Sequence, residues 1–509
     1  MAALNLADIG AWIARSAPGG QLASDSRRIG AGDVFFAYPG DAADGRDFIA
    51  AAIAQGAVAV LYDGHDFAWN EAWAVPHLAL DGLKKIAGPL AQAFYAQPDA
   101  AMFCVGLTGT NGKTSCAVWL GQALSRLGQP TVVIGTLGVG LYRAPGKVEF
   151  EVTGYTTPDA VLLARTLAEA RTAGAAALAI EVSSIGLDQG RVAGMHFDVA
   201  LLTNLTRDHL DYHGDMAAYE AAKTRLFDWP GLKTAVVNLD DAFGRRLAAQ
   251  LQGRLQVIGY TLADAAAQPD LPGVAILRAS AVRSRNKGSD FHLESPFGAA
   301  QVKTGLVGHF NVSNALGVLG ALLANGVPLR AGVDAIEALT PAPGRMQQMG
   351  GQDAPMVVID YAHTPDALEK TLLALGRVAS ERGGQLWCVF GCGGERDPGK
   401  RPQMGAIAQR ARHVLVTSDN PRGEDPLAII GQIVAGMNVP HPDSVLQTVP
   451  DRAAAILSAI KHAAKADVIL LAGKGHEPYQ EIKGRKLAFS DAEHAALALA
   501  ARATMMRTN

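Results

Sequence analysis

The chain has 509 residues, which is too long for one hydrophobic core and suggests about two to four domains. A formal net charge of −3 provides no basic field for nucleic acid, and four cysteines do not make a disulfide framework in a chain of this length. Cys388 and Cys392 lack the two-residue spacing of a zinc or redox pair. No apolar stretch approaches a membrane span, and residues 1–20 lack the pattern of a secretory signal, so we predict a soluble cytoplasmic protein.

The first 97 residues are predicted to form one unit. Short apolar runs at 34–37 and 57–61 indicate buried strands, and the Ala/Ile pattern between them, near 48–55, indicates a helix. Polar turns around Ser26 and at Asp41–Ala43 lie near the strand ends. By themselves these turns are typical of ordinary turn chemistry.

The most informative stretch opens the second unit, which is predicted to span residues 98–341. The sequence Gly109-Thr110-Asn111-Gly112-Lys113-Thr114-Ser115 follows an apolar run at 102–107 and precedes an amphipathic helix that ends at Gly128. Glycines let backbone N–H groups turn toward an anion, and the helix N-terminus adds partial positive charge. This order predicts a phosphate-binding loop in which Lys113 reaches the terminal phosphates of a nucleotide and Thr114 binds Mg²⁺.

The spacing of this loop departs from the general phosphate-loop motif. Five residues, rather than four, separate Gly106 from the Gly-Lys-Thr sequence at Gly112. The alternative interpretation is therefore an ordinary Gly-rich turn in a dinucleotide-type domain. The loop alone does not indicate what a bound nucleotide is used for.

Further apolar runs in the second unit alternate with helical patterns, at 131–134, 175–180, 199–202 and 235–237. This alternation predicts an α/β unit with a mostly parallel sheet, whose ligands lie at the carboxyl ends of the strands. Glu181 ends one run, and His209 is expected directly after another. We predict that Glu181 and Thr114 bind one Mg²⁺, since hard cations prefer oxygen ligands. The alternative for Glu181 is a capping or salt-bridged carboxylate.

The βα rhythm resumes in a third unit, predicted at 342–509. Four apolar runs, at 356–359, 386–390, 414–417 and 468–471, each lead into a polar or Gly-rich loop. We predict a second doubly wound sheet, of the Rossmann-like type, with all four loops at one edge. Thr364 is predicted to cap the helix that Pro365 begins.

These motifs together resemble the Mur ligases and the folylpolyglutamate synthetases. The phosphate loop has the form found in those families, and the other matching stretches are 181–184, 204–213, 308–315 and 360–363. The resemblance implies an α/β protein of three domains: an N-terminal uridine-binding domain, a central phosphate-loop ATPase domain and a C-terminal Rossmann-like domain. It also implies amide-bond formation through an acyl phosphate, with ATP and Mg²⁺. Three motifs in the last third, 393–397, 419–422 and 473–477, are similar to the Mur ligases that add diaminopimelate.

The resemblance also assigns roles to residues. The catalytic group would be Lys113, Glu181, His209 and Lys223. Lys223 would be a carbamate that holds a second Mg²⁺ with Glu181 and His209, because a carbamate offers the oxygen donors that Mg²⁺ prefers. The alternative for Lys223 is a solvated helix lysine. Beyond the phosphate loop, the nucleotide would contact Asn311, Arg345, Asp360 and His363.

The same likeness implies two small-molecule partners. UDP-N-acetylmuramoyl-L-alanyl-D-glutamate would contact Thr156, Thr157, Ser183, Gln189 and Arg191, and its uridine end would lie on Ser26 and the loop Asp41–Ala43. meso-Diaminopimelate would contact Arg396, Asp419, Asn420, Pro421, Arg422, Gly473 and Glu477. We expect no nucleic-acid partner, no membrane span and a monomer.

Two alternatives remain open on the sequence. A folylpolyglutamate synthetase would use the same ATP chemistry without a uridine domain or the 419–422 motif. A phosphate-loop ATPase motor or regulator would hydrolyse ATP without an amine acceptor, and it often needs a basic surface for nucleic acid.

Overall fold

The computed structural model describes residues 5–41, 43–146, 148–263, 271–285, 288–437 and 445–508. Three main β-sheets follow one another along the chain, each covered by helices. The domain boundaries at 97/98 and 341/342 remain predictions. No helix within the described ranges combines the length and apolar character needed to cross a membrane.

The N-terminal sheet has four parallel strands in the order β1-β2-β3-β4. The predicted strand at 34–37 is confirmed, and the one predicted at 57–61 begins two residues later. The elements are α1 (Leu6–Ser16), β1 (Leu22–Ala23), β2 (Val34–Ala37), α2 (Ile49–Gln55), β3 (Ala59–Asp63), β4 (His77–Leu80) and α3 (Leu83–Phe94), with short 3₁₀ turns at Ser26–Arg28, Gly45–Phe48 and Pro98–Ala101.

The central sheet has ten strands in the order β14-β13-β12-β11-β10-β9-β5-β8-β6-β7. Its seven inner strands, from β12 to β6, run parallel, and antiparallel strands lie at both ends. The elements up to β10 are β5 (Phe103–Thr108), α4 (Lys113–Arg126), β6 (Thr131–Gly135), β7 (Gly138–Tyr142), α5 (Ala160–Thr172), β8 (Ala177–Glu181), α6 (Ser184–Asp188), β9 (Val199–Leu202), α7 (Leu210–His213), α8 (Met216–Thr224) and β10 (Thr234–Asn238). The remaining elements are α9 (Ala242–Leu251), β11 (Gln256–Thr261), β12 (Val274–Arg285), β13 (Gly288–Ser295), β14 (Gly298–Thr304), α10 (His309–Ala324) and α11 (Leu329–Glu337).

Five of the seven parallel strands, β5, β6, β8, β9 and β10, were predicted because they are buried on both faces and read as apolar runs, whereas β11 and β12 were missed. Apolar side chains above and below the sheet form two separate core clusters. Sequence analysis did not predict the antiparallel strands β7, β13 and β14. Buried and partly exposed residues are mixed along each of them, so they lack a continuous apolar run.

The third sheet has six strands in the order β15-β16-β20-β17-β18-β19, and only the β15–β16 pair is antiparallel. The four predicted strands are confirmed as its inner strands, whereas the edge strands β15 and β19 were missed because none of their residues is buried. Thr364 caps α12 as predicted, accepting a hydrogen bond from the Ala367 amide at 3.3 Å. The elements are β15 (Gln347–Gly350), β16 (Met356–Asp360), α12 (Pro365–Glu381), β17 (Leu386–Phe390), α13 (Lys400–Ala408), β18 (His413–Val416), α14 (Pro426–Ala435), β19 (Val445–Thr448), α15 (Arg452–His462), β20 (Val468–Ala472), the hairpin β21 (Tyr479–Ile482) and β22 (Arg485–Ala488), and α16 (Asp491–Thr508).

Candidate active site

The phosphate loop connects β5 to α4 at the carboxyl edge of the central sheet. β5 lies between β8 and β9, so the ends of three buried strands surround the loop. Gly109 and Gly112 have φ values of +139° and +90°, a conformation that side chains rarely adopt. A Cβ on Gly109 would collide with Thr203 Oγ1, and one on Gly112 would lie 2.8 Å from the Asn314 amide. Both glycines are therefore required by close approach as well as by backbone conformation.

Asn111 is held in the loop by a reciprocal pair of hydrogen bonds with Asn204, which follows β9. The Asn111 amide donates to Asn204 Oδ1 at 3.0 Å, and Asn204 Nδ2 donates to the Asn111 carbonyl at 2.9 Å. The Thr110 amide also donates to the Asn204 carbonyl at 2.8 Å. The loop is thus shaped by the neighbouring strand as well as by its glycines.

Two lysines, the partly buried Lys113 and the buried Lys223, meet at the loop. Lys113 Nζ donates to the carbonyls of Gly109 at 2.8 Å and Thr110 at 3.0 Å, and Lys223 Nζ donates to the same Gly109 carbonyl at 3.0 Å. Burial lowers the pKa of both lysines. The pKa of Lys223 lies well below its ordinary value, because the like charge of Lys113 adds to the effect of burial. Lys223 is only 1% exposed, so the alternative of a solvated helix lysine is wrong.

Glu181 ends β8 beside the loop and is 1% exposed. Its Oε1 accepts the Thr136 amide at 2.8 Å, and its Oε2 accepts the Thr136 hydroxyl at 3.2 Å. Thr136 follows β6 at the same edge and also lies 3.2 Å, Oγ1 to Oγ1, from Thr156. Its position after a predicted strand could have signalled Thr136, which sequence analysis did not select. Burial lowers the pKa of Lys113, and the charge of Glu181 opposes this effect.

His209 lies at this edge, but not directly after a strand as expected. β9 ends at Leu202, and His209 precedes the short helix α7 with a left-handed φ of +55°. Its Nε2 is 3.6 Å from Asp208 Oδ2. Burial, opposed by Asp208, lowers the pKa of His209, so its imidazole is available as a neutral ligand.

The predicted dipeptide-binding residues form one connected group on the other side of Glu181. Thr157 Oγ1 donates to the Glu181 carbonyl at 2.8 Å and accepts the Ser183 amide at 3.0 Å. Arg191 Nη1 donates to the Thr157 carbonyl at 2.9 Å, and its Nε donates to Gln189 Oε1 at 2.8 Å. The Arg191 guanidinium also lies 5.5 Å from the exposed ring of Tyr155, a residue that sequence analysis did not select.

Loops of the third sheet reach the phosphate loop directly. Arg345 Nη2 donates to Thr114 Oγ1 at 3.3 Å, and its guanidinium lies 4.2 Å from the Tyr361 ring. Asn111 Nδ2 donates to Asp366 Oδ2 at 3.2 Å. These contacts bring the two sheets together at the candidate nucleotide site.

Asp360 is buried and His363 is partly buried at this junction. Asp360 Oδ2 accepts the Met346 amide at 2.8 Å and Oδ1 accepts the Ala362 amide at 3.0 Å, so the carboxylate positions the Arg345 loop; its contact with the nucleotide stays a prediction. His363 Nδ1 donates to the Tyr361 carbonyl at 2.7 Å, which leaves Nε2 as its acceptor. Burial lowers the pKa of His363 to about 4 and keeps the ring neutral.

The predicted amine-binding residues surround a buried lysine. Lys474 is fully buried, and its Nζ donates to Asn420 Oδ1 at 3.0 Å and to Glu477 Oε2 at 3.1 Å. Asn420 Nδ2 donates to the same Glu477 oxygen at 2.8 Å. Gly473 has a φ of +108°, and a Cβ there would lie 2.5 Å from Asp419 Oδ2. Lys474 was not selected by sequence analysis, although it lies inside a recognised motif. Glu477, predicted to contact diaminopimelate, accepts hydrogen bonds from both Lys474 and Asn420.

Arg422 lies in the same loop cluster, and two of its guanidinium nitrogens already have partners. Its Nη1 donates to the Gly394 carbonyl at 2.7 Å, and its Nε is 3.3 Å from Glu481 Oε2. Arg422 has a left-handed φ of +52° and follows Pro421. Arg396 is exposed and has no hydrogen-bonding partner among the described residues. The structure thus brings the two predicted guanidiniums to one loop cluster, with Arg396 the freer of the two.

The remaining predicted residues are spread more widely. Asn311 is buried, with its Nδ2 donating to the Val307 carbonyl at 2.8 Å, and Ser115 is buried in the first turn of α4. Ser26 is buried and begins a 3₁₀ turn of the N-terminal unit. Asp41 pairs with Lys84 at 3.0 Å, whereas Ala42, in the same predicted loop, lies outside the described residues.

The residues around the phosphate loop suit a nucleoside triphosphate with Mg²⁺. The loop is lined by glycines that close approach requires. The Lys113 ammonium donates to the loop carbonyls, and it forms no salt bridge with a carboxylate among the described residues. Thr114, Glu181 and His209 offer the oxygen and neutral imidazole ligands that a divalent cation accepts.

Comparisons with known proteins agree with this geometry. Models of the Mur ligase catalytic domain, middle domain and glutamate ligase domain match residues 21–95, 107–322 and 344–475. The chain is 63% identical over 500 residues to the UDP-N-acetylmuramoyl-L-alanyl-D-glutamate–2,6-diaminopimelate ligase of Janthinobacterium sp. (strain Marseille), covering 98% of this chain and 97% of that protein. It is 52% identical to the protein of that name from Ralstonia nicotianae, covering 98% and 97%.

Solved structures give the same result. A structure of a UDP-N-acetylmuramoyl-L-alanyl-D-glutamate–2,6-diaminopimelate ligase matches with a TM-score of 0.64 at 35% identity, covering 95% of each chain. The folylpolyglutamate synthase of Mycobacterium tuberculosis, solved with ADP, matches at 19% identity with a TM-score of 0.59, covering 77% of this chain and 91% of that one, and shares the fold alone. With all three domain models matched in order and long relatives at this identity, the chain belongs to the Mur ligase family.

Proposed function

We propose that this protein is an ATP-dependent ligase that joins meso-diaminopimelate to UDP-N-acetylmuramoyl-L-alanyl-D-glutamate in peptidoglycan precursor synthesis. The observation that carries the proposal is the convergence of three groups at one edge of the central sheet: the phosphate loop, the Thr157–Arg191 group, and the third-sheet loops that contact Thr114 and Asn111. The names of the relatives supply the substrates.

In this proposal the loop amides and Lys113 hold the phosphates of ATP. Thr114, Glu181, His209 and Lys223, as a carbamate, would hold Mg²⁺, which when bound neutralises the charge of the transferring phosphoryl group. Thr136 fixes the Glu181 carboxylate through two hydrogen bonds. The fixed carboxylate and the preorganised loop need little rearrangement when charge develops on the phosphates.

The lowered pKa of Lys223 supports the carbamate. Only a neutral amine reacts with CO₂, and burial favours the neutral form of this side chain. A bond forms between Nζ and the carbon of CO₂, and a proton leaves the nitrogen. The product is an anion beside the Lys113 ammonium, in place of the like-charge contact that the free amine makes when protonated.

The substrate carboxylate of the D-glutamyl residue attacks the γ-phosphoryl group of ATP, and ADP leaves. Arg191, Gln189 and Ser183 would orient this carboxylate in line with the phosphates. The amine of diaminopimelate then attacks the acyl carbon, and phosphate leaves. The third-sheet loops around Arg345 cover the phosphate loop and exclude the water that would otherwise hydrolyse the acyl phosphate.

Recognition of diaminopimelate would use both signs of charge in the third-sheet loops. Arg422 and Arg396 suit its distal carboxylate, because a guanidinium fork binds a carboxylate in two places. Asp419 and Glu477 suit the adjoining ammonium. Substrate binding would displace the weaker of the present contacts of Arg422, the 3.3 Å pair with Glu481.

Phosphate release with each set of substrates tests the proposal. We expect release to require ATP, UDP-N-acetylmuramoyl-L-alanyl-D-glutamate and diaminopimelate together. Release with a reduced folate and glutamate instead would favour a folylpolyglutamate synthetase, and release with ATP alone would favour an ATPase. We further propose that the chain acts as a monomer in the cytoplasm, where ATP is supplied; light scattering that gives the mass of a dimer would contradict the monomer.

A further inference from the structure

A second polar cluster lies at the opposite, amino edge of the central sheet. Cys104 near the start of β5 and Asp198 before β9 flank His196, and Asp99 comes from the 3₁₀ turn that precedes the sheet. One ligand atom each from Cys104, His196 and Asp198 lie within 4.8 Å of one another. None of these residues belongs to the site proposed for ligation.

The cluster is organised by hydrogen bonds before any ligand binds. His196 Nε2 is 3.3 Å from Asp198 Oδ2, and its Nδ1 is 3.3 Å from Asp99 Oδ2. The Cys104 amide donates to Asp198 Oδ2 at 3.0 Å, and the His196 amide donates to Asp99 Oδ2 at 2.7 Å. Both carboxylates are therefore fixed by the backbone as well as by the imidazole.

We propose that Cys104, His196 and Asp198 form a binding site for a borderline divalent transition metal of the Zn²⁺ class, with Asp99 orienting His196. A thiolate, an imidazole and a carboxylate are a common protein ligand set for zinc and select against the hard ions Mg²⁺ and Ca²⁺. Metal-binding histidines usually donate their other ring N–H to a carboxylate, and Asp99 occupies that position here. The fourth position is left for water.

The charges of the cluster allow one dication to replace two protons. With a protonated imidazole, the carboxylates of Asp99 and Asp198 are balanced by His196 and by Lys233, whose Nζ is 2.6 Å from Asp198 Oδ1. Metal binding releases one proton from the thiol and one from the imidazolium. A dication replaces those two positive charges, so the net charge of the cluster is unchanged.

Access and competition follow from the same residues. The His196 side chain is 36% exposed, whereas those of Asp99 and Asp198 are 4% and 13% exposed, so a metal would enter beside the imidazole. Metal binding displaces the protons of the Cys104 thiol and the His196 imidazolium, so protons compete with the metal and affinity should increase with pH.

Cobalt(II) titration of the full-length protein tests the site. We expect one equivalent of Co²⁺ to produce the near-ultraviolet charge-transfer band of a thiolate ligand at pH 8.5, in excess Mg²⁺ to saturate oxygen-donor sites, and Zn²⁺ to abolish the band. Cys104→Val should remove the band. Cys388→Val, which replaces a second buried cysteine in β17, is the matched control and should retain it.

A second variant tests the orienting role. Asp99→Asn should lower Co²⁺ affinity about 10- to 100-fold while the band remains at saturation. Absence of a thiolate band in the wild type would overturn the proposal, as would a band retained by Cys104→Val. Ligation is assigned to the other edge of the sheet. A protein that fails the substrate assay could therefore still bind Co²⁺ at Cys104, and the two proposals are tested separately.

Discussion

The two edges of the central sheet differ in how their charged side chains are paired. At the carboxyl edge, Lys113 and Lys223 direct their ammonium groups at one carbonyl, without a salt bridge to a described carboxylate, and burial lowers both pKa values. At the amino edge, His196 lies between Asp99 and Asp198, and its pKa is raised. At the edge proposed to receive phosphates, these lysines form no salt bridge among the described residues, whereas the other edge balances its charges internally.

The largest expected effect is at the carboxyl edge. Lys113→Ala should abolish ligation, with a loss of about 10²–10³ or more in turnover, because it removes the cation aimed at the phosphates. Substrate-dependent phosphate release measures the loss, and circular dichroism checks the fold. Lys303→Ala, which removes an exposed lysine of β14, is the control. Near-normal turnover in a folded Lys113→Ala protein would refute the phosphate-loop assignment.

Lys223→Ala tests the proposed carbamate at this edge. We expect a loss of about a hundredfold or more, partly restored by short carboxylic acids that supply the missing metal oxygens. Failure of every acid to restore activity would argue against the carbamate. High-resolution density at Lys223 without a carboxyl extension, in crystals grown with bicarbonate and Mg²⁺, would count against it independently.

Arg422→Ala extends the comparison to the third sheet. Hydrogen bonds to a charged group contribute about 1.5–3 kcal/mol, so we expect the KM for diaminopimelate to increase about 10- to 100-fold. The preference over lysine should narrow as well, since lysine lacks the distal carboxylate. Steady-state kinetics with both amines measure this, and an unchanged preference would refute the role of Arg422 but not the ligase assignment.

His196→Gln tests the balanced edge through stability. Because the folded-state pKa of His196 is raised from 6.5 to about 12, its stabilisation is complete below pH 6.5 and is lost as the pH increases toward 12. The partly exposed pair limits the effect, and we expect a loss of about 2 kcal/mol at pH 7. Urea unfolding from pH 6 to 10 should show a smaller decline with pH in the variant than in the wild type, and parallel declines would contradict this account.

Asp366→Ala should have the smallest effect. It removes the 3.2 Å hydrogen bond from Asn111, one of the contacts between the third-sheet loops and the phosphate loop. A net hydrogen bond contributes about 1 kcal/mol, so we expect a loss of several-fold in kcat/KM with the fold unchanged. Steady-state kinetics measure the loss, and an unchanged kcat/KM would argue against a role for this contact.

The sequence by itself determined the parts of this protein that local patterns specify. Buried parallel strands read as apolar runs, the glycines of 109–112 mark a loop that only they permit, and Thr364-Pro365 marks a helix start. Because parallel strands bring their carboxyl ends to one edge, the sequence also placed Glu181 near the phosphate loop.

Only the tertiary structure decided which of these side chains are free to act. Glu181 is held by Thr136, Glu477 by Asn420 and Arg422 by Glu481, and each of these partners comes from a distant segment that no local pattern encodes. The burial of Lys223 and the His196 cluster likewise depend on which elements pack together. Burial and long-range hydrogen bonds set the charge state of a side chain, and both arise from contacts between segments far apart in the chain.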